Sequence, residues 1–504
     1  MEKMPITNVR RFFLLLTVSV CCWLAAVATA AGSEPGGLSE KLLSIGKPPG
    51  SGMIVLESLI VDPNIRHIAY VVTSPEGMAL VVNDMAGRFF EGIGKGSHVF
   101  NSSGTRIAYI AMQGKKMAVM TNRAAGKAYD GVDNIQFSPD GNHLAYRAMQ
   151  GRKQMVVLDE RKGPLFTGIS GNIGLRFSPD SQQFVYVALK GQKLVPVING
   201  RPERECDDIR EVVFSPDSKH YAYSARIGRE WFVFRNGKPG PAFDNVGQLT
   251  FSPNSWSLAH AAELKGNWYM VRDAQRYPAG DFAGLPTFSP DSSRFGYGMM
   301  KAGVWRFVVD GESGSNWDRL GLLQFSPDSK RHAYTAGRGD SWYLVEDGKT
   351  GPAWDGIRGF NYSPDGSQLV YAGGRQGKWH MVINGNIGNG YTDIGMPVFS
   401  KDSRRMAFPA KNGDRHYLVA DGREGQGFGA VAGPVFSADG NHLVCQVHVD
   451  GQWAVVADGR LGRSRFSGFL KSAPLVFDAP NRFHGLVWQE AGPEFFRLQA
   501  EIGE

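Results

Sequence analysis

One turn sequence returns along this chain at a fixed interval, and that interval constrains the fold more than any other feature. Phe137 opens Phe-Ser-Pro-Asp-Gly, and versions of it begin at Phe177, Phe214, Phe251, Phe288, Phe325, Tyr362, Phe399 and Phe436. From Phe177 to Phe436 every step is 37 residues. Worn copies at Val61 (Val-Asp-Pro-Asn), Phe100 (Phe-Asn-Ser-Ser-Gly) and Phe477 (Phe-Asp-Ala-Pro-Asn) bring the count to twelve.

Within each copy apolar residues alternate with period two, as half-buried strands require, and Gly or Pro punctuates them. Residues 366 to 402 show the parts. Leu369, Tyr371 and Ala372 belong to a first strand, Gly374 to Gly377 to a turn, and Trp379 to Ile383 to a second strand. Asn384-Gly385 predicts a tight hairpin, since both central residues of a type I′ turn need positive φ. Tyr391 lies in a third strand, and a fourth runs from Met396 to Phe399. Four short antiparallel strands in such a length make one propeller blade. Three ladders repeat in register with the turn. Trp231, Trp268, Trp305, Trp342, Trp379 and Trp453 form one; Asn199, Asn236, Asp273, Asp310, Asp347, Asn384, Asp421 and Asp458 a second; Phe243, Trp317, Trp354, Tyr391 and Phe428 a third. Large aromatics at one position per blade would fill the wedge between neighbours.

Phe-Ser-Pro-Asp-(Gly/Ser), followed four residues later by Ala-Tyr or Val-Tyr, resembles the PD40 (WD40-like) repeat of TolB-type periplasmic propellers. The resemblance runs from about residue 54 to 490. It implies the fold and an envelope compartment. The chain departs from TolB itself, with no N-terminal α/β domain and twice as many repeats, so no TolB-specific role carries over.

The fold class is therefore all-β: a β-propeller built from twelve four-stranded repeats of about 37 residues. Propellers usually hold four to eight blades, so two six-bladed rings are expected, residues 54–275 and 276–504, with one large twelve-bladed ring as the alternative. The sixth copy is the most eroded of the middle ones (Asn254, Leu258-Ala259-His260, Asp273-Ala274), as at a crossing between rings, although no linker interrupts the spacing. Residues Ile54 to Val61 look like a fourth strand without its own repeat, whereas the last copy supplies only two strands, near Leu486 to Trp488 and Phe495 to Leu498. N-terminal strands completing the C-terminal blade would remove both sheet edges.

Residues 1–30 read as a signal peptide: Lys3, Arg10 and Arg11, an apolar run from Phe12 to Val27, then Ala28-Thr29-Ala30. Its removal leaves no transmembrane segment and predicts a periplasmic or secreted protein, with 31–53 as an N-terminal segment. The net charge falls from +7 to +5, 52 basic against 47 acidic residues. That excess is too small to point to nucleic acid. Cys206 and Cys445 remain, in different strand positions, which predicts two buried thiols rather than a disulfide.

No linear catalytic motif is present: no Gly-x-Ser-x-Gly, Walker loop, His-Glu-x-x-His or Cys-x-x-Cys-His. The repeated Asp140, Asp180, Asp217, Asp291, Asp328 and Asp365 could be imagined as metal ligands, but Ser-Pro-Asp-Gly is turn chemistry. His67, His143, His220, His332 and His442 sit near one slot in different blades and cannot all converge. The suggestive surface feature is basic: Arg201, Lys238, Lys349, Arg423 and Arg460 directly follow the hairpin turns, with Arg463 and Arg465 nearby. They would make a mildly positive face, although turn tips also favour long solvated side chains and Glu312 and Asn386 interrupt the series. The expected function is a non-enzymatic scaffold without metal or cofactor. It would bind a protein or cell-envelope polymer through loops on one face. The alternative is a glycan or peptide hydrolase or lyase with its site in the central channel.

Overall fold

The computed structural model describes residues 37–46, 52–122, 124–489 and 494–503. The expected signal peptide lies outside the described residues. Those described form antiparallel sheets, two of which are joined by a single parallel pairing, and one 3₁₀ turn, Leu470–Ser472. None of their helices is long and apolar enough to cross a membrane.

Each repeat yields four strands, but a blade is offset from the sequence repeat. The strand that ends one repeat pairs with the first strand of the next. In blade 9, Gly356–Tyr362 pairs with Leu369–Arg375, which pairs with Lys378–Ile383 and then Asn386–Tyr391. The turn expected at Gly374 to Gly377 is shorter than foreseen. Gly374 is still paired with Trp379, and only Gln376 and Gly377 have positive φ. Eleven sheets result, and one of them, with eight strands, is two blades joined, so the blades number twelve. First strands of neighbouring blades lie side by side, as Asp208–Phe214, Asn245–Phe251 and Phe282–Phe288 do, and form the inner wall.

The twelve blades close into one ring. A separate apolar core fills each wedge from blade 1 to blade 12 in turn. A further core joins Leu470, Leu486 and Phe495 of blade 12 to Leu59, Ile68 and Tyr70 of blade 1. Of the two closures compatible with the sequence, the single twelve-bladed ring is the one observed. The expected boundary at 275/276 falls inside the strand Gln275–Gly280 of blade 6. Gly280 pairs with Met300 of blade 7, and Ala261 and Met270 share a core with Phe295 and Tyr297. The erosion of the sixth copy is therefore local: His260, in place of the usual Tyr, packs against Phe243 at a 5.7 Å ring separation.

The ends close the ring as the sequence suggested, through a strand it did not single out. Leu38–Gly46 pairs with Glu494–Ile502 as the outer strand of blade 12, while Met53–Val61 is the inner strand of blade 1. Leu38 and Leu42 pack into the core between blades 11 and 12, and Ile45 into that between 12 and 1. The Glu40 carboxylate accepts the Arg463 and Ser464 N–H groups at 2.7 and 2.8 Å, fastening the closing strand to the preceding loop.

The third ladder fills the wedges. Phe243, Trp317, Trp354, Tyr391 and Phe428 are all buried, and Phe90, Tyr129, Phe166 and Phe466 extend the series. Cys206 takes the ladder position of blade 4, bridged to Leu194 as Trp354 is to Trp342. The tryptophan ladder behaves differently. Trp231 is buried, but Trp268, Trp305, Trp342, Trp379 and Trp453 are half-exposed. Arginines of the inner strand stack on several of them, Arg210 on Trp231 at 4.0 Å and Arg358 on Trp379 at 3.9 Å. Cys206 and Cys445 are free and buried in different wedges, and burial pushes their thiols up to about 11 and about 12.

Candidate binding face

The second ladder sets the geometry of one face. Its Asn or Asp residues, with Asn83, Asn122 and Asp159 in the earlier blades, have φ between 44° and 55°, the left-handed conformation that a type I′ hairpin demands. Each side chain also accepts the N–H of the first residue of its blade's second strand, as Asn384 does from Leu369 at 2.8 Å and Asp421 from Met406 at 2.9 Å. A short acceptor that tolerates left-handed backbone is needed, which restricts the position to Asn and Asp. The hairpin is thereby pinned beside the Ser-Pro-Asp turn, and both project on the same face.

The Ser-Pro-Asp turns link blade to blade. Ser178 Oγ donates to Asp180 Oδ1 at 2.6 Å and accepts the Gln183 N–H at 2.9 Å. The Asp180 N–H donates to Ser218 Oγ of the next blade at 3.0 Å. The same bond joins Asp140 to Ser181, Asp217 to Ser255, Asn254 to Ser292, Asp291 to Ser329 and Asp365 to Ser403. Hydroxyl and amide donors within each turn hold the Asp carboxyls below the ordinary range, Asp140 at about 2. Their oxygens are thus occupied by turn bonds, and among the described residues no group of three or more His, Cys, Asp or Glu side chains is placed to hold a metal.

Four of the five histidines are spent in the same local way. His143 and His442 each meet their own hairpin carboxylate, Asp159 and Asp458, at 2.6 Å, and His220 meets Asn236 at 2.8 Å. Arg294 and Arg405 fill the slot in other blades, on Asp310 and Asp421 at 2.8 and 3.0 Å. His332, one residue on, meets Asp347 at 2.9 Å, and His67 lies 3.7 Å from Asp62. They stay in separate blades.

Arg201, Lys238, Lys349, Arg423 and Arg460 each begin the outer strand directly after a hairpin, and all are exposed. None is in an ion pair with another described residue. They belong to blades 4, 5, 8, 10 and 11. The structure therefore sets them on one face without gathering them at one point, since each blade turns the ring by about 30°. A sixth residue, Arg161 of blade 3, holds the same position, pairing with Leu158 as Arg201 does with Ile198. Its hairpin is Asp159-Glu160 and not Asn-Gly, which hid it from the ladder; both residues have positive φ. Blades 3, 4 and 5 thus carry one basic arc and blades 10 and 11 a second, nearly opposite.

A groove of about 540 Å³ opens beside the second arc, between the hairpins of blades 10 and 11. Arg423 lines it with Arg405, Asp421, Glu424, Phe428 and Asp458. Arg405 is committed to Asp421 and to the Asn441 carbonyl at 2.6 Å, and Glu424 accepts from Tyr391 Oη at 2.6 Å. Among the described residues Arg423 remains as the groove's uncommitted cation. Arg465 keeps its charge but is held against its own loop, its guanidinium donating to the Gly462 and Ser464 carbonyls.

The inner wall is asymmetric. At one position of the first strand, blades 7, 8 and 10 expose Leu285, Leu322 and Met396, whereas blades 1, 2, 5 and 6 carry Ser58, Ser97, Glu211 and Gln248. Glu211 accepts the Leu249 N–H of the adjacent blade at 2.6 Å, and burial raises its carboxyl above the ordinary range.

No family model matches the chain, and no curated protein does. Among solved structures the chain is similar to one described as the eukaryotic initiation factor, at 16% identity, with 72% of this chain and 98% of that one covered and a TM-score of 0.34. It is also similar to the Dos1 propeller, at 10% identity, 64% and 90% coverage and a TM-score of 0.25. A functionally unknown protein from Desulfotomaculum acetoxidans matches at 11% identity, 49% and 91% coverage and a TM-score of 0.24.

Proposed function

We propose that the chain is an exported ring scaffold of the TolB-like, PD40 kind, without chemistry of its own, that binds an anionic protein surface or envelope polymer across its hairpin face. The observation that carries this reading is the set Arg201, Lys238, Lys349, Arg423 and Arg460, exposed, outside any ion pair with a described residue and held on pinned hairpins of one face. Unpaired cations keep their long-range field, and the pinned hairpin backbone beneath them needs no ordering when a partner docks. Their spread over two arcs, with Lys349 between them on blade 8, suits an extended partner better than a small ligand. The test is capture from an envelope extract by the chain beginning at Ala31, beside a variant with all five residues changed to Glu. A partner held by the unchanged chain and lost by the variant supports the reading; equal capture by both removes the hairpin face from it.

Glu211 favours a second reading, a hydrolase or lyase site on the inner wall, because its carboxyl is raised as a general acid requires. Turnover of envelope glycans or peptides, abolished in Glu211→Gln, would support that reading.

A further inference from the structure

The ring's seam differs from its other wedges. Between blades 12 and 1 a cavity of about 550 Å³ opens near the turns Asp478 to Asn481 and Asp62 to His67. Its wall is polar. The closing strand contributes Ser39 and Lys41, the C-terminal strands Arg482, Arg497, Gln499 and Glu501, and the turns Arg66 and Asp478. We propose that this cavity binds a compact phosphate-type oxyanion carrying two or more negative charges, and that its occupancy strengthens closure of the ring.

The charges do not cancel. Asp478 is already engaged, accepting from Arg66 Nη2 and meeting His484 Nδ1, both at 2.8 Å. His484 Nε2 in turn meets the Asn64 carbonyl of blade 1 at 3.1 Å, so this trio is a structural tie across the seam. Among the described residues of the wall, Lys41, Arg482 and Arg497 are left with Glu501 as the remaining carboxylate. None of the three is in an ion pair with a described residue. Arg497 Nε is buried and has no hydrogen-bond partner among the described residues. A buried guanidinium donor left unsatisfied costs free energy, and a bound anion is the remedy that its surroundings allow. Two forked guanidiniums and an ammonium lining one cavity are the donors that suit a phosphate group, with Ser39 and Gln499 beside them as neutral polar residues. The cations come from both chain ends, so a ligand touching Lys41 and Arg482 together favours the closed ring over the open one. None of the five hairpin residues lines this cavity, and the inference is independent of the partner proposed above.

The test is calorimetric titration of the full chain with inorganic pyrophosphate, with thermal unfolding followed in parallel. One site per chain and a rise in melting temperature are expected. Lys41→Met with Arg482→Met should weaken binding at least tenfold, and Glu501→Gln should tighten it, while the five-residue hairpin variant binds as the unchanged chain does. Both methionine positions are exposed, so the double variant should melt normally without ligand. Absence of binding, or unchanged affinity in the double variant, would overturn the proposal. A sugar phosphate bound more tightly than pyrophosphate would assign the site to an organic phosphate; equal or weaker binding would assign it to the free oxyanion.

Discussion

Changing Ser329 to Ala and to Gly should reverse the order of stability that a strand or helix would show. Ser329 is buried with φ 62°, and its Oγ accepts the Asp291 N–H of the preceding blade at 3.0 Å. Alanine leaves that part-buried N–H without an acceptor, which costs about 2 kcal/mol, and keeps a Cβ in left-handed backbone. Glycine loses the same bond but relieves left-handed strain of about 1 to 2 kcal/mol, of which about half returns through its greater freedom in the unfolded chain. The Gly variant should therefore lose about 1 kcal/mol against about 2 for Ala. Gly366, with φ 74°, marks the corresponding turn of the next blade, where a Cβ would sit 3.0 Å from Asp328 Oδ1. Gly366→Ala should accordingly cost about 1 to 2 kcal/mol. Hydrogen exchange at the Asp291 amide reads the bond locally, which matters because a ring of repeats need not unfold in one step. An Ala variant within about 0.5 kcal/mol of the unchanged chain, or a Gly variant less stable than Ala, would refute the reasoning.

Three further outcomes follow from the packing. Trp354, 2% exposed, donates from Nε1 to Tyr371 Oη at 3.2 Å; Trp354→Ala should cost about 3 to 5 kcal/mol by urea denaturation. His260 is buried, which lowers its folded value to about 4 from an ordinary 6.5. The unfolded chain then binds more protons between those values, so stability should be complete above pH 6.5 and fall as pH drops toward 4; His260→Phe should flatten that part of a melting-temperature profile. Glu40→Ala removes the acceptor of two backbone N–H groups and should raise protease sensitivity before residue 46 while the central blades stay resistant.

What the sequence made legible was whatever repeats within one blade. The turn Asp, the Asn-Gly hairpin and the buried aromatic each answer to a local rule, so Asn384 and Trp354 could be placed before any coordinates. Their partners could not. The bond from Asp291 to Ser329 crosses between blades, and nothing in a Ser-Pro-Asp-Ser string marks its last Ser as an acceptor. Ring count was illegible for a related reason: the wedge between blades 6 and 7 is built from the same residue types as every other, and closure depends on the angle summed over all of them. The strand Leu38–Gly46 escaped notice because it has no repeat around it and pairs with the far end of the chain. The seam cations are hidden for the same reason, since Lys41 and Arg497 meet only after closure. The hairpin cations were legible as a face and not as a site, and the arcs became visible only once the blades were placed in order.

The single closed ring underlies the two basic arcs and the seam cavity alike, and electron-microscopy class averages of the purified full chain test it most directly. One ring of twelve radial blades around an open centre, with no gap between the first and last, is the predicted image. Two smaller rings per chain, or one ring open at the seam, would contradict the account.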